Sequence, residues 1–379
     1  MTTAKIIPAY IFAGFATLVS VSYLDNVRGP LLPVISKQLG INYEQTGYFL
    51  TIGSFAAIVS TLIMGKLLKK YSERTVSVTI CLICALPGLC APLVSGVASL
   101  MLLGLVMGSG VALMGSICNI LTINGSPLHL RGRLLSIQQV MYGVGSFLGP
   151  VTFSAFLSYS LPWWSAIVLI SAVNVVLAMI LAFSLPSSHV ATESVQSNKL
   201  NLRLVLPVAL FAIFVGGEVL TSMWMSTFFV TVANFSTTKA SSLNSLFFLI
   251  IAGTRLGISI LLPVRWERPT ILIALAIGIC CILLAILVNP IFLPFAGLVG
   301  PFFPLFMAQV SRVFPDTWKD VTIWIFASIQ LMLGIIHLSV GKLTDMVGIE
   351  KAFYLAPALI FTSLILTFIF FKQHPEKSY

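Results

Sequence analysis

Five ionisable side chains stand inside otherwise apolar runs of the chain: Asp25, Arg28, Glu218, Arg255 and His337. Placing an unpaired Asp or Arg at the centre of a membrane helix costs about 2.5–3.5 kcal/mol on insertion scales, so each must face protein or a water-filled cavity. Asp25 and Arg28 share one face of a helix. A carboxyl set between an arginine that favours its ionised form and apolar surroundings that oppose it is equipped to take up and release a proton. Pro30 and Pro33 follow, and each lacks a backbone donor, which frees the carbonyls of Asn26 and Gly29. Such freed groups survive in a bilayer only where protein or water satisfies them. The segment YLDNVRGPLLP therefore reads as a polar, kinked cavity wall. In FVGGEVLTSMWMSTF, Glu218 lies beside Gly216 and Gly217, small residues that let helices approach closely. Trp224, further along, suits stacking on a ring or anchoring at an interface.

The chemistry on offer is proton exchange and charge-assisted hydrogen bonding. There is no H-E-x-x-H, and no intramembrane Ser/His or paired-Asp arrangement for a nucleophile or a metal. The reading is of a non-enzyme with no cofactor and no metal. Uncharged polar side chains in the spans (Tyr23, Asn26, Asn119, Asn124, Gln138, Gln139, Tyr142 and Gln330) suit a hydroxyl-rich or zwitterionic solute better than a greasy one. Helical amides also pair with one another across interfaces.

These residues must be positioned by helices. Of 379 residues, 58% are hydrophobic and 8% charged, and mean hydropathy is +1.05. A soluble domain carries roughly a quarter charged residues, so the solvent of this chain is largely lipid. Apolar runs bounded by charge, Gly or Pro predict twelve spans. The first six cover 6–36, 45–68, 75–95, 98–123, 134–158 and 163–185, and the second six 204–231, 241–263, 270–288, 291–313, 320–343 and 352–371. The polar, Ser-rich stretch SLPSSHVATESVQSNKLNLR separates them. The expected architecture is an all-α membrane protein of twelve transmembrane helices in two pseudo-symmetric six-helix bundles, 1–185 and 204–379, joined by a cytoplasmic linker at 186–203. The first span is expected to be retained, since no small-residue cleavage site follows a short apolar core.

Basic residues set the orientation. With the N-terminus inside, only Lys37, Lys239, Lys342 and Lys351 of the 21 Lys and Arg fall outside, Arg28 and Arg255 lie within the membrane, and the other 15 are cytoplasmic. That bias follows the positive-inside rule and places both termini in the cytoplasm. The net charge of +10 is thus a matter of lipid and topology, with no nucleic-acid partner implied. Six cysteines sit in apolar runs, and the Cys81/Cys84 pair lacks the second pair or His of a zinc site. Gly104/Gly108 and Gly145/Gly149 form G-x-x-x-G packing faces without the strand or Lys-Ser/Thr of a nucleotide site.

Over nearly its whole length the chain resembles the major facilitator superfamily. That family carries G-x-x-x-D-x-x-G-R-[RK] after its second span. Here GKLLKKYSERT keeps Gly65 and Arg74 but has Lys69 and Ser72 where Asp and Gly are expected. A fuller copy, GKLTDMVGIEK, with Gly341, Asp345, Gly348 and Lys351, follows span 11, on the outer side. Span 5 matches the family's G-P motif at Gly145, Gly149 and Pro150, and Gly104 stands where drug–proton antiporters place an arginine. YLDNVRGPLLP, QVMYGVGSFLGP, FVGGEVLTSMWMSTF and LVGPFFPLFMA look like the fucose-permease-like sugar branch. The branch places a second acid in span 4, where SICNILTIN offers Asn119 instead.

The resemblance implies a monomeric secondary transporter of a cell membrane (the inner membrane in a Gram-negative bacterium), moving a sugar-like solute by alternating access with proton symport. It implies proton coupling at Asp25, with Glu218 in the second role. Solute contacts fall on Tyr23, Asn26, Arg28, Asn119, Gln139, Tyr142, Trp224, Arg255, Gln330 and His337, and gating on Gly65, Arg74, Gly341, Asp345 and Gly348. The alternatives are an exporter of a drug, metabolite or metal chelate, or an uncoupled facilitator. A transporter-like sensor would need a larger cytoplasmic output segment than the linker and tail provide.

Overall fold

Where water cannot satisfy amides, each spanning segment must close its own backbone hydrogen bonds. The computed structural model describes residues 6–127, 130–186, 202–315 and 317–375. Among them, twelve helices are long and apolar enough to cross a membrane. Spans 1–6 are Pro8–Leu39, Tyr43–Lys70, Glu73–Leu93, Val97–Asn124, Arg133–Ser158 and Ser165–Ser184. Spans 7–12 are Leu204–Thr231, Thr237–Ile258, Glu267–Leu287, Pro290–Val313, Trp324–Val347 and Ile349–Gln373. Most of the expected linker, 187–201, lies outside the described residues.

Local sequence explains the departures from regular helix. Span 1 breaks at Val27, between Pro8–Asn26 and Arg28–Leu39, just ahead of Pro30 and Pro33, as the two missing donors require. It ends at Gly40, whose φ of 63° is the left-handed conformation that favours glycine. Span 10 begins as a 3-10 helix, Pro290–Val299, capped by the Asn289 side chain. Span 8 starts at Thr237, earlier than expected, because Ser236 accepts the Lys239 N–H at 3.2 Å and so draws polar residues into the helix. Span 11 runs on to Val347, so that Asp345 sits on the last turn of a helix and not in a loop.

Within spans 1–6, span 1 packs on spans 4, 5 and 6, span 2 on 4, and span 3 on 4 and 6; spans 7–12 repeat most of this pattern, with 7 on 11 and 12, 8 on 10, and 9 on 10 and 12. Glycines allow the closest approaches. A Cβ on Gly149 would lie 2.9 Å from Tyr23 O, and one on Gly217 2.7 Å from Ile360 Cγ1. Gly104 and Gly108 meet the backbone of span 2 at Phe49 and Gly53. These glycine faces hold helices together, as their spacing predicts.

Each set of six is stapled near the face that carries the start of span 1, here termed the proximal face. Glu73, at the first turn of span 3, accepts from Asn124 Nδ2 at 2.5 Å. Glu267, at the first turn of span 9, accepts from Arg312 at 2.6 and 2.8 Å and from Gln309 Nε2 at 2.9 Å. Both glutamates are buried. The dipeptide Glu-Arg opens the third helix of each set, at 73–74 and 267–268.

The two sets meet along seams related by the same pseudo-twofold: span 2 with 11, span 5 with 8, and span 1 with 7. At the distal face, Asp345 accepts the backbone N–H groups of Tyr43 (2.9 Å) and Glu44 (2.7 Å) at the N-terminus of span 2. Tyr43 Oη bonds Thr231 Oγ1 at 3.2 Å. Ser154 bonds Ser242 at 2.8 Å, and Ser241 donates to Pro150 O at 2.6 Å. Nearer mid-depth, Thr51 donates to Gly334 O at 3.3 Å, and Gly143 lies against Ala252. Proximal to these points, Gly65, Gly253 and Gly257 have no atom within 4 Å of where a Cβ would stand, and Leu62 is 72% exposed. The seams seal distally and part proximally.

Replacing Glu267 by Ala removes the acceptor of two Arg312 hydrogen bonds and of the buried Gln309 amide, a loss of about 1–3 kcal/mol. The detergent-purified variant is expected to melt several degrees lower than wild type, with Glu267→Gln between the two, as read by thermal unfolding.

Candidate functional site

Gly29 carries the crossing of spans 1 and 7: a Cβ there would stand 3.0 Å from Met223 O and 3.1 Å from Ser222 O. One helical turn proximal of that crossing, about 6 Å at 1.5 Å per residue, lie Asp25 on span 1 and Glu218 on span 7. The two carboxylates therefore sit at one depth, one on each side of the pseudo-twofold.

Each has its own arginine. Arg28 donates through Nη2 to Asp25 Oδ1 and through Nε to the Asp25 carbonyl at 2.9 Å. The break at Val27 lies between these two residues. The second oxygen of Asp25 has Tyr142 Oη at 3.5 Å, and Asn26 Nδ2 donates to that tyrosine at 3.3 Å and to Ser146 Oγ at 2.9 Å. Arg255 reaches Glu218 Oε1 through Nη2 at 3.4 Å, donates through Nε to Gly300 O at 3.2 Å, and lies 5.5 Å over the Phe303 ring. The pairing of Glu218 with Arg255 joins spans 7 and 8, and no helix-face spacing announces it.

Both pairs remain partly open. The Asp25 side chain is 21% exposed and that of Glu218 12%. Gln139, exposed, stands one turn proximal of Gly143, and Gln330, partly buried, one turn proximal of Gly334. Both border the place where the seams part. Asn119 is partly exposed and donates to Gly115 O at 3.1 Å within span 4.

Four of the expected solute contacts are buried and bonded to protein groups in this form. Trp224 is fully buried and donates from Nε1 to His337 Nδ1 at 3.4 Å, and His337 is only 4% exposed. Tyr23 is buried against Thr152 and the Ala166 carbonyl. Asn26 is buried too, and serves by holding Tyr142. Asn124 and Gln138 are spent on packing, on Glu73 and on Gly14 O respectively. Of the expected gating residues, Asp345 and Gly341 lie in the distal seam, where a Cβ on Gly341 would come 2.7 Å from Tyr43 O. Gly348 ends span 11 at φ 85°, a conformation for which glycine is suited. A Cβ on Gly65 would meet no atom of another helix within 4 Å, and Arg74 opens span 3 beside Glu73.

Sequence reasoning missed Gly300 and Phe303, which hold Arg255, and the glutamates Glu73 and Glu267, assigned to loops. The repeated Glu-Arg dipeptide was a usable signal for the latter pair.

The arrangement is a mid-depth polar site shared by two related sets of helices, open on one face and shut on the other. Solved structures of the same form are known. The chain superposes on a point mutant of the nucleoside transporter NupG with a TM-score of 0.76 at 15% identity, covering 97% of this chain and 100% of that one. It superposes on a bacterial homologue of the human lysosomal transporter Spinster, inward-facing and occupied, with a TM-score of 0.77 at 13% identity, covering 97% of each. The unoccupied inward-facing form of that homologue gives 0.71 at 12%, covering 95% and 96%. Comparison with curated protein sequences finds no match. The sequence matches the family profile described as Major Facilitator Superfamily over residues 11–336, and with twelve spans and this fold the chain belongs to that superfamily.

Proposed function

We propose that this protein is a secondary active transporter that carries a small polar, sugar-like solute across a cell membrane by alternating access, coupled to protons. The observation that carries the reading is the pair of acid–base couples at one depth, one on each side of the seam, both partly exposed. A carboxylate that must neutralise before its helix set can reorient is a natural proton carrier, because an uncompensated charge in the closed site is costly. Asp25 takes that role first, with Tyr142 beside it to relay the proton or to hold a hydroxyl of the solute. Glu218 takes the place of the acid that span 4 lacks. Gln139, Gln330, Asn119 and Tyr142 supply neutral hydrogen bonds to the solute, and Arg28 and Arg255 the charged ones. The branch resemblance supports a sugar-like solute, and the low identity to the nucleoside transporter carries no substrate across.

Among the described residues, Lys66, Lys69, Lys70, Arg74, Arg131, Arg133, Arg265, Arg268, Arg312 and Lys372 lie toward the proximal face. The positive-inside rule then makes that face cytoplasmic and places both termini inside, and the conformation is inward-open. The outer gate is the distal seam, with Asp345 as its latch: its carboxylate meets the positive end of span 2. Alternating access requires that contact to break.

In proteoliposomes, Asp25→Asn is expected to abolish solute accumulation driven by an imposed pH gradient; coupling equal to wild type removes Asp25 from the mechanism. Asp345→Ala is expected to weaken the outer gate by about 1 kcal/mol. Combined with Thr51→Cys in a background without other cysteines, it is expected to speed thiol labelling from outside roughly fivefold.

A further inference from the structure

The charges at mid-depth sum to zero. Asp25 and Glu218 are matched by Arg28 and Arg255. His337 accepts a hydrogen bond at Nδ1 from Trp224, which requires that nitrogen to be unprotonated, as in a neutral imidazole. A proton added to either acid therefore leaves the site one positive charge in excess. A neutral sugar or a zwitterion carried with that proton would have to be enclosed with the excess uncompensated, whereas a solute with one negative charge restores the balance.

The two arginines are not equally available to such a solute. Arg28 is held by the Asp25 carboxylate and by the Asp25 carbonyl, with Nη1 against Gly53. Arg255 meets Glu218 by one long contact of 3.4 Å, and its Nη1 has no partner among the described residues. Its Nε is fixed on Gly300 O, and the ring of Phe303 supports one side of the guanidinium. The fork is thus oriented but only half used. When Glu218 takes up a proton its hold on Nη2 weakens, and both terminal nitrogens become free for the two oxygens of a carboxylate, the geometry in which Arg binds best. Tyr142 and the side-chain amides Gln139 and Gln330 then lie around the remainder of the solute, as partners for hydroxyl groups.

Resting on the proton-coupled reading above, in which Asp25 admits the single coupled proton and Glu218 holds it while solute is bound, we propose that the solute is a hydroxyl-bearing monocarboxylate of the sugar-acid class, its carboxylate seated on Arg255 in exchange for the protonated Glu218, so that one proton and one anion cross together without net charge.

The test uses the full-length protein in proteoliposomes with an inward proton gradient and the membrane potential clamped. Labelled glucuronate and gluconate are compared with glucose, fucose, uridine and alanine. The expected result is accumulation of a carboxylate probe alone, at a rate that changes little between zero and about 100 mV interior negative. Arg255→Gln is expected to lower that rate about tenfold or more, and Arg255→Lys, which keeps the charge but not the fork, to recover part of it. Accumulation of a neutral or zwitterionic probe at a rate that rises with the potential overturns this inference while leaving proton coupling intact. Exchange of a probe with no response to the pH gradient overturns the coupling and this inference together. Wild-type rates in Arg255→Gln also overturn it.

Discussion

The rest of the structure follows from the difficulty of holding charge at the centre of an apolar bundle. Two carboxylates and two guanidiniums persist there because each is paired and none of the four is fully enclosed. Pairing fixes where they go. Asp25 and Arg28 are neighbours on one helix, and the break at Val27 lets the arginine fold back on its own carboxylate. Glu218 and Arg255 belong to adjacent helices and need Gly300 and Phe303 to aim the guanidinium. The prolines, glycines and hydroxyls nearby are consequences of making room for these two pairs.

Under the alternating-access mechanism proposed above, a site exposed in turn on two faces cannot be built from soft parts. Each set of six helices is therefore stiffened internally, by glycine contacts at mid-depth and by a buried glutamate staple at its proximal end. The seams between sets use different chemistry. They rely on single hydroxyl–carbonyl bonds, small residues in contact and one carboxylate on a helix end. Each such contact contributes modestly, about 0.5–1.5 kcal/mol, and can be broken without unfolding anything. Strong contacts inside the sets and weak ones between them are what rocking requires.

The sequence made the spans legible because lipid imposes a simple rule, a run of apolar residues of sufficient length, and all twelve fall within a few residues of expectation. Errors gathered where polar residues close or open a helix, at Thr237 and at Asp345, since hydropathy places these outside the membrane while caps and dipoles extend the helix over them. The Asp25–Arg28 pair was legible from helix spacing. The Glu218–Arg255 pair was not, because it depends on which faces of two helices meet. The same blindness hides the partners of Trp224, His337, Tyr23 and Asn26. Their polarity marks them as needing partners, but only the packing shows that those partners are protein groups.

The two copies of the loop pattern divide along the same line. After span 11 the pattern keeps its acid, and Asp345 sits on the N-terminus of span 2 at the closed distal end of the seam between these helices. After span 2 the corresponding position is Lys69, four residues past Gly65 as Asp345 is past Gly341. By the pseudo-twofold that pairs spans 2 and 11, this position belongs to the proximal end of the same seam, where the N-terminal end of span 11 lies. A carboxylate there would meet the positive end of a helix and favour closure, whereas the sequence sets a lysine there and carries acids at Asp316 and Asp320, just ahead of span 11. The acid of the pattern thus stands after span 11 for the distal face and before span 11 for the proximal one. The two ends of the seam do not share one latch, because the acid comes from a different element at each.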